Sequence, residues 1–197
     1  MQLDNNKLDQ VFKDFLTLKK LRRTGWQLRG IKEGESIADH CWGVVLLTHI
    51  LSSELNLKLD RGKAVSMAIA HELGETRIGD IPYTTLKYFP NKREMENAAI
   101  NDILSPLSDK TKQEMVKLFN EFEDAQTLEA KFVKAIDKLE MLITAAEYEN
   151  SGFSGLKDFW NNESTFNAFK DFPELYDYAK HLLELRQIRL KGEIQSC

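Results

Sequence analysis

Ser36-Ile37-Ala38-Asp39 is a capping box with aspartate in the usual glutamate position, and behind it apolar residues recur at helical spacing as far as Leu55. Ile37, Cys41, Val44, Leu51 and Leu55 mark one stripe, with Thr48 in the remaining place and His40 at its edge. Such a stripe is satisfied only when a helix buries that face against other apolar elements. The pattern recurs along the chain. Asp4 to Asn6 can cap a helix with Leu8, Val11, Phe12, Phe15 and Leu16, and Asp60 and Arg61 open one with Val65, Ala68 and Ile69. Asn91 begins a helix with Met95, Ala98, Ala99 and Ile103, and Ser108 caps one with Met115, Leu118, Phe119 and Phe122. Thr127 heads the strongest stripe after that of Ser36. It runs Phe132, Val133, Ile136, Leu139, Ile143 and Ala146, with Asp137 directly beside it. A last helix follows Pro173, with Leu175, Ala179, Leu182 and Leu183.

Between these helices, Lys19 to Gly30 and the segment around Gly152 and Gly155 read as loops. No alternating strand pattern and no internal repeat stands out. With only four prolines and ten glycines in 197 residues, the composition also favours helix. The expectation is an all-α fold, with residues 1–197 as a single helical domain of ordinary core size.

A formal net charge of -4 provides no global basic field, so nucleic acid is not expected as a partner. Cys41 and Cys197 form no CxxC pair and no disulfide framework. The start, Met1 to Asn6, lacks the basic and apolar regions of a signal peptide, and no apolar run approaches membrane-spanning length. A cytoplasmic, reducing location without membrane contact is expected.

The chemistry concentrates between His71 and Asp80, where one histidine and the carboxylates Glu72, Glu75 and Asp80 stand at the end of an apolar helix. Charged groups are rarely buried unpaired, so this density of acid beside core residues calls for a cation or a catalytic use. His40 and Asp137 lie on separate amphipathic segments and can converge with it. His40, His71, Glu72 and Asp137 could close around one divalent ion, and imidazole with carboxylate suits Mn, Fe, Co, Ni or Zn. His49 falls on the opposite face from His40, and His181 has no comparable acidic cluster nearby. A zinc-protease HExxH motif is not formed, because Glu75 stands where its second histidine belongs.

Glu75, four residues after His71, shares its helical face and could handle a proton or a second cation, or pair with Arg77, Arg22 or Arg23. Asp80 could serve the site or cap a turn. Arg22-Arg23-Thr24-Gly25-Trp26 offers guanidinium donors for phosphate, and an indole that either meets a nucleotide or anchors the loop in the core.

Four separated stretches resemble the HD-domain metal-dependent phosphohydrolases, most closely the branch of 5'-deoxynucleotidases. They are Arg23-Thr24-Gly25-Trp26, Glu35-Ser36-Ile37-Ala38-Asp39-His40, His71-Glu72-Leu73-Gly74-Glu75 through Gly79-Asp80-Ile81, and Glu129-Ala130-Lys131-Phe132-Val133-Lys134 through Asp137 and Glu140-Met141. The resemblance implies an HD-domain helical bundle that removes the 5'-phosphate from small-molecule nucleotides, (deoxy)nucleoside monophosphates, with a divalent metal ion such as Co, Mn, Mg, Zn, Fe or Ni. It implies His40, His71, Glu72 and Asp137 as metal ligands, Glu75 as the acidic residue needed for hydrolysis, and Arg23 as the phosphate arginine, with Arg22 one place away. Trp26, Asp80 and Ile81 match substrate-side or second-metal positions, and members of the branch are generally homodimers. Hydrolysis of another phosphate ester, or nucleotide binding without turnover, is the alternative. The family's dyad is His-Asp, and here it is His71-Glu72, one methylene longer.

Overall fold

A computed structural model describes residues 4–195, and among them are eleven α-helices and one 3-10 helix. In order they are α1 (Asn5–Leu18), α2 (Thr24–Gln27), α3 (Ile37–Glu54), α4 (Arg61–Ala70), α5 (Glu75–Ile78), the 3-10 helix (Tyr83–Tyr88), α6 (Lys92–Ile103), α7 (Asp109–Asp124), α8 (Leu128–Asn150), α9 (Lys157–Trp160), α10 (Glu163–Asn167) and α11 (Pro173–Gln195). Several begin at the expected caps. Asp4, Asp60, Ser108 and Thr127 accept backbone N–H groups of the following turn, and Ser36 and Asp39 complete the reciprocal capping box. Each such cap contributes about 1 kcal/mol.

The core is built around α8, which packs against α3, α4, α7, α9 and α11. Its Phe132, Val133, Ile136, Leu139 and Leu142 are fully buried, and each such side chain contributes about 1.5–3 kcal/mol. A smaller cluster of Leu73, Ile100, Ile103, Leu104 and Phe119 joins the end of α4 to α6 and α7. The all-α expectation holds among the described residues.

Three local expectations change. Ile69 points outward, and α4 instead buries Ala64, Met67, Ala68 and Ala70, because small side chains suit a helix packed against α3, α7 and α8 at once. On α6 the buried face carries Glu96, Ala99, Ile100 and Ile103 rather than Met95 and Ala98. A Cβ on Gly74 would lie 2.8 Å from Glu96 Cβ and 3.0 Å from its Cα, so glycine at 74 is what lets α6 dock in this register. The Lys19–Gly30 stretch is not all loop, since it holds the one-turn helix α2. It is tied to the start of α3 by Arg23 N–H to Glu35 O at 3.0 Å and Ile37 N–H to Leu21 O at 2.9 Å. Cys41 is a free thiol, and Cys197 lies outside the described residues. Among the described residues no helix is long and apolar enough to cross a membrane.

Candidate metal and phosphate site

The helical winding of α4 tightens after Ala70. Leu73 N–H donates to Ala70 O, Glu75 N–H to Glu72 O and Thr76 N–H to Leu73 O, all i to i−3 bonds. In this 3-10-like geometry side chains three apart eclipse, so Glu75 aligns with Glu72 and not with His71 as α-helical spacing predicts. Gly79, at φ 76°, then turns the chain toward Asp80, a conformation that side-chain-bearing residues rarely adopt.

Residues from α3, the α4 end and α8 meet at this bend. His40 and His71 are buried, with ring centroids 5.5 Å apart. Glu72 Oε1 lies 4.0 Å from His40 Nε2 and 3.9 Å from His71 Nε2, and Asp137 Oδ1 lies 3.2 Å from His40 Nε2. His40, His71 and Glu72 thus bring ligand atoms within 4.8 Å of one another, and Asp137 adjoins them through His40. Each imidazole commits Nδ1 elsewhere: His40 to Glu140 Oε2 at 2.6 Å, and His71 to Ala68 O at 2.7 Å. Both Nε2 atoms are buried without a hydrogen-bond partner. Two orphaned nitrogens facing carboxylate oxygens is the donor set of a transition-metal site, so the residues present fit a divalent cation. The longer Glu72 side chain still delivers its oxygen to both histidines.

Arg23 lies over the same carboxylate, with Nη1 3.0 Å from Glu72 Oε1. Burial alone would lower its pKa, but Glu72, Asp80, Glu75 and Asp137 outweigh this and hold it above its ordinary value. Arg22 turns away, donating to Gly34 O at 2.9 Å, which separates the two arginines. Asp80 anchors the arginine loop: its Oδ2 accepts from Thr24 N–H at 2.6 Å, and its carbonyl accepts from the Thr24 hydroxyl at 2.9 Å.

Glu75 is only 2% exposed and its Oε2 has no partner. Arg77 is engaged by Asp14 and Asp102, so it leaves Glu75 free to face Glu72 and Glu96. Burial and the neighbouring Glu72 and Asp80 raise the Glu75 pKa well above the usual carboxylate range.

Arg23, His71, Glu72, Glu75, Asp80 and Asp137 line a cavity of about 360 Å³, which Ile81, Pro82 and Tyr83 border on one side and Lys138 and Met141 on the other. Trp26 is a wall of it, 2% exposed, with Nε1 donating to Glu35 at 2.8 Å and its ring stacked on Phe159 at 4.4 Å. Its indole therefore anchors the loop, and Phe159 is the more accessible aromatic. Sequence reasoning missed Phe159, and also Glu140, Lys92 and Glu96. Glu140 follows Asp137 by one helical turn, a usable signal, whereas Lys92 and Glu96 form an i,i+4 pair indistinguishable from a surface one.

The charge states carry a pH prediction. Burial and Arg23 oppose charge on His40, but Asp137 and Glu140 outweigh them and raise its pKa from 6.5 to about 9. A raised folded-state pKa stabilises fully below the unfolded value, and that contribution disappears as pH rises through the folded one. Metal-free protein should therefore lose thermal stability between about pH 6.5 and 9, and saturating cation should flatten that slope. Melts in EDTA and in Co²⁺ across this range test it. Glu72, for which burial is outweighed by His71 and Arg23, is held down to about 2 and stays ionised throughout.

The family model described as an HD domain matches residues 16–171. The chain belongs to the HD-domain family. Among curated relatives of this HD domain, a Xenopus laevis protein named 5'-deoxynucleotidase HDDC2 is 33% identical over 171 residues, 86% of this chain and 82% of the relative. A Schizosaccharomyces pombe protein named 5'-deoxynucleotidase hdd1 is 39% identical over 146 residues, 72% of this chain and 71% of that one. Among solved structures, a conserved hypothetical protein from Pyrococcus furiosus superposes with a TM-score of 0.76 at 34% identity, covering 88% of this chain and 98% of its own.

Proposed function

We propose that this HD domain, acting as one unit over residues 1–197, is a metal-dependent phosphomonoesterase that removes the 5'-phosphate from (deoxy)nucleoside monophosphates. One observation supports this reading above the others. His71, Glu72 and Asp137 lie on the floor of a cavity that also holds an arginine and an unpartnered buried glutamate, and His40 stands directly behind them with its Nε2, like that of His71, orphaned. The curated names of the relatives supply the substrate class.

His40, His71, Glu72 and Asp137 would hold the cation, which when bound supplies Lewis acidity toward a phosphate oxygen and toward water. Arg23 binds and orients the phosphate, its loop held by the Asp80–Thr24 contacts. To do so the guanidinium shares or leaves Glu72, and its five donors match phosphate oxygens in a way an ammonium does not. Glu75, with its raised proton affinity, takes a proton from attacking water or delivers one to the departing 5'-oxygen. Trp26, Phe159, Ile81 and Tyr83 exclude water on the nucleoside side.

Free phosphate released from a panel of nucleoside monophosphates with Co²⁺, Mn²⁺, Mg²⁺ or Zn²⁺ tests the proposal. Release from deoxynucleotides that disappears on chelation is the expected result. Pyrophosphate or a phosphomonoester as product, or nucleotide binding without turnover, would replace it with another reading.

A cytoplasmic homodimer completes the proposal. Trp42, Leu46 and Ile50 stand four residues apart on α3 and are 66%, 42% and 44% exposed, an apolar stripe suited to a second copy. Light scattering should find twice the chain mass, reduced to the single mass by Leu46→Glu; a monomeric wild type rules the dimer out.

A further inference from the structure

Glycine in the middle of a long helix weakens it, yet Gly43 sits inside α3, three residues after His40 and on the same face. The packing shows what occupies the space of its missing side chain. A Cβ at position 43 would lie 2.7 Å from Glu140 Oε1, 2.9 Å from its Cγ and 3.2 Å from its Cδ. A flexible glutamate would ordinarily move aside, but this one is held. It is 7% exposed, its Oε2 lies 2.6 Å from His40 Nδ1, and its Oε1 accepts from the Thr144 hydroxyl at 3.1 Å.

Asp137 and Glu140 stand one turn apart on α8, and they bracket the two nitrogens of one imidazole. Asp137 faces Nε2 at 3.2 Å and Glu140 takes Nδ1. Glu140 is the nearer of the two carboxylates and the one that forms a hydrogen bond to the ring, so it places the proton of the neutral ring on Nδ1 and leaves the Nε2 lone pair directed toward Asp137 and the site.

We infer that Glu140 is a positioning residue that fixes the tautomer and orientation of His40 toward the cation, and that residue 43 is glycine to leave room for that carboxylate. The cation half of this statement rests on the proposed metal site. The Gly43–Glu140–His40 contact stands without it.

The inference is tested in two states of the protein. In metal-free protein, at a pH where the ring is neutral, ¹⁵N correlation spectra should show His40 as the single Nδ1–H tautomer. Glu140→Ala should give a mixture, and Glu140→Gln, which keeps an acceptor oxygen, should restore the single tautomer. Melting of the same metal-free proteins completes a double-mutant cycle. Gly43→Ala should lower Tm in the wild-type background and raise it in the Glu140→Ala background, where the helix-favouring alanine meets no carboxylate.

Co²⁺ titration, followed by its visible absorption, should show binding weakened about 10–100-fold by Glu140→Ala and by Gly43→Ala. The double variant should be no weaker than Glu140→Ala alone. Unchanged Co²⁺ affinity in folded Glu140→Ala, an unaltered His40 tautomer there, or a Gly43→Ala penalty equal in both backgrounds would overturn the inference. Wild-type protein showing the Nδ1–H tautomer but taking up no Co²⁺ would support the positioning of His40 and overturn the metal reading.

Discussion

Glu75→Gln should yield a folded, cation-binding protein that releases phosphate about 10²–10⁴-fold more slowly than wild type. The substitution is nearly isosteric and keeps one acceptor oxygen, so the packing of the α4–α5 bend has no reason to change. What it removes is the ability to gain and lose a proton. Glu75 is suited to that task by its surroundings: 2% exposure, an Oε2 without a partner, and the charges of Glu72 and Asp80 all raise its proton affinity. A carboxylate raised in this way still holds its proton above the ordinary carboxylate range and loses it as the pH climbs further. A limb of the kcat–pH profile governed by Glu75 should therefore vanish in Glu75→Gln. Single-turnover rates on a deoxynucleoside monophosphate, together with metal content by elemental analysis, decide the matter. A rate within about threefold of wild type would remove Glu75 from the chemistry.

Arg23→Ala should act on both stability and turnover, through the same contact. Arg23 and Glu72 are paired at 3.0 Å with side chains only 16% and 14% exposed. Breaking one side of a pair this buried leaves an uncompensated charge, which costs about 3–5 kcal/mol. Glu72 would then stand beside Glu75 and Asp137 with only the more distant His40, 4.0 Å away, to offset its charge. Denaturant melts of the metal-free variant should show this loss, and saturating Co²⁺ should recover much of it by compensating the same carboxylate. Turnover should fall about 10²–10³-fold even with cation present, because the phosphate has lost a preorganised donor. Arg23→Lys should recover stability better than rate, since an ammonium keeps the charge but not the bidentate fork. Arg22→Ala is the contrast, its guanidinium being directed to Gly34 O and Glu33, away from the cavity. Equal turnover losses at the two positions would contradict the proposed division of roles.

Much of the site was legible before folding because its members carry chemistry that few other contexts tolerate. His40, His71, Glu72 and Asp137 were identifiable as polar residues beside apolar stripes, and they meet at distances of 3.2 to 4.0 Å. Asp80 was legible only as a choice between substrate contact and turn anchor, and its bonds to Thr24 make the anchor visible. Trp26 offered a similar choice, and burial at 2% places it in the wall. Glu96 and Lys92 were invisible, since nothing in an i,i+4 Lys–Glu pair announces that one partner will be buried against Gly74.

By itself, the sequence determined what short-range physics controls. Capping residues start several of the helices, apolar periodicity selects the face that α3, α7 and α8 bury though not those of α4 and α6, and the acidic bend after Ala70 marks where reactive groups accumulate. The tertiary structure alone decided the rest. It determined that Glu75 aligns with Glu72, that Arg23 rather than Arg22 reaches the carboxylates, and that Glu140 takes the second nitrogen of His40. Each of these depends on how three helices distant in sequence approach one another, to within the width of a single methyl group at Gly43 and Gly74. Periodicity shows that a helix has an inner face, but contact between side chains a hundred positions apart is set only when that face is packed.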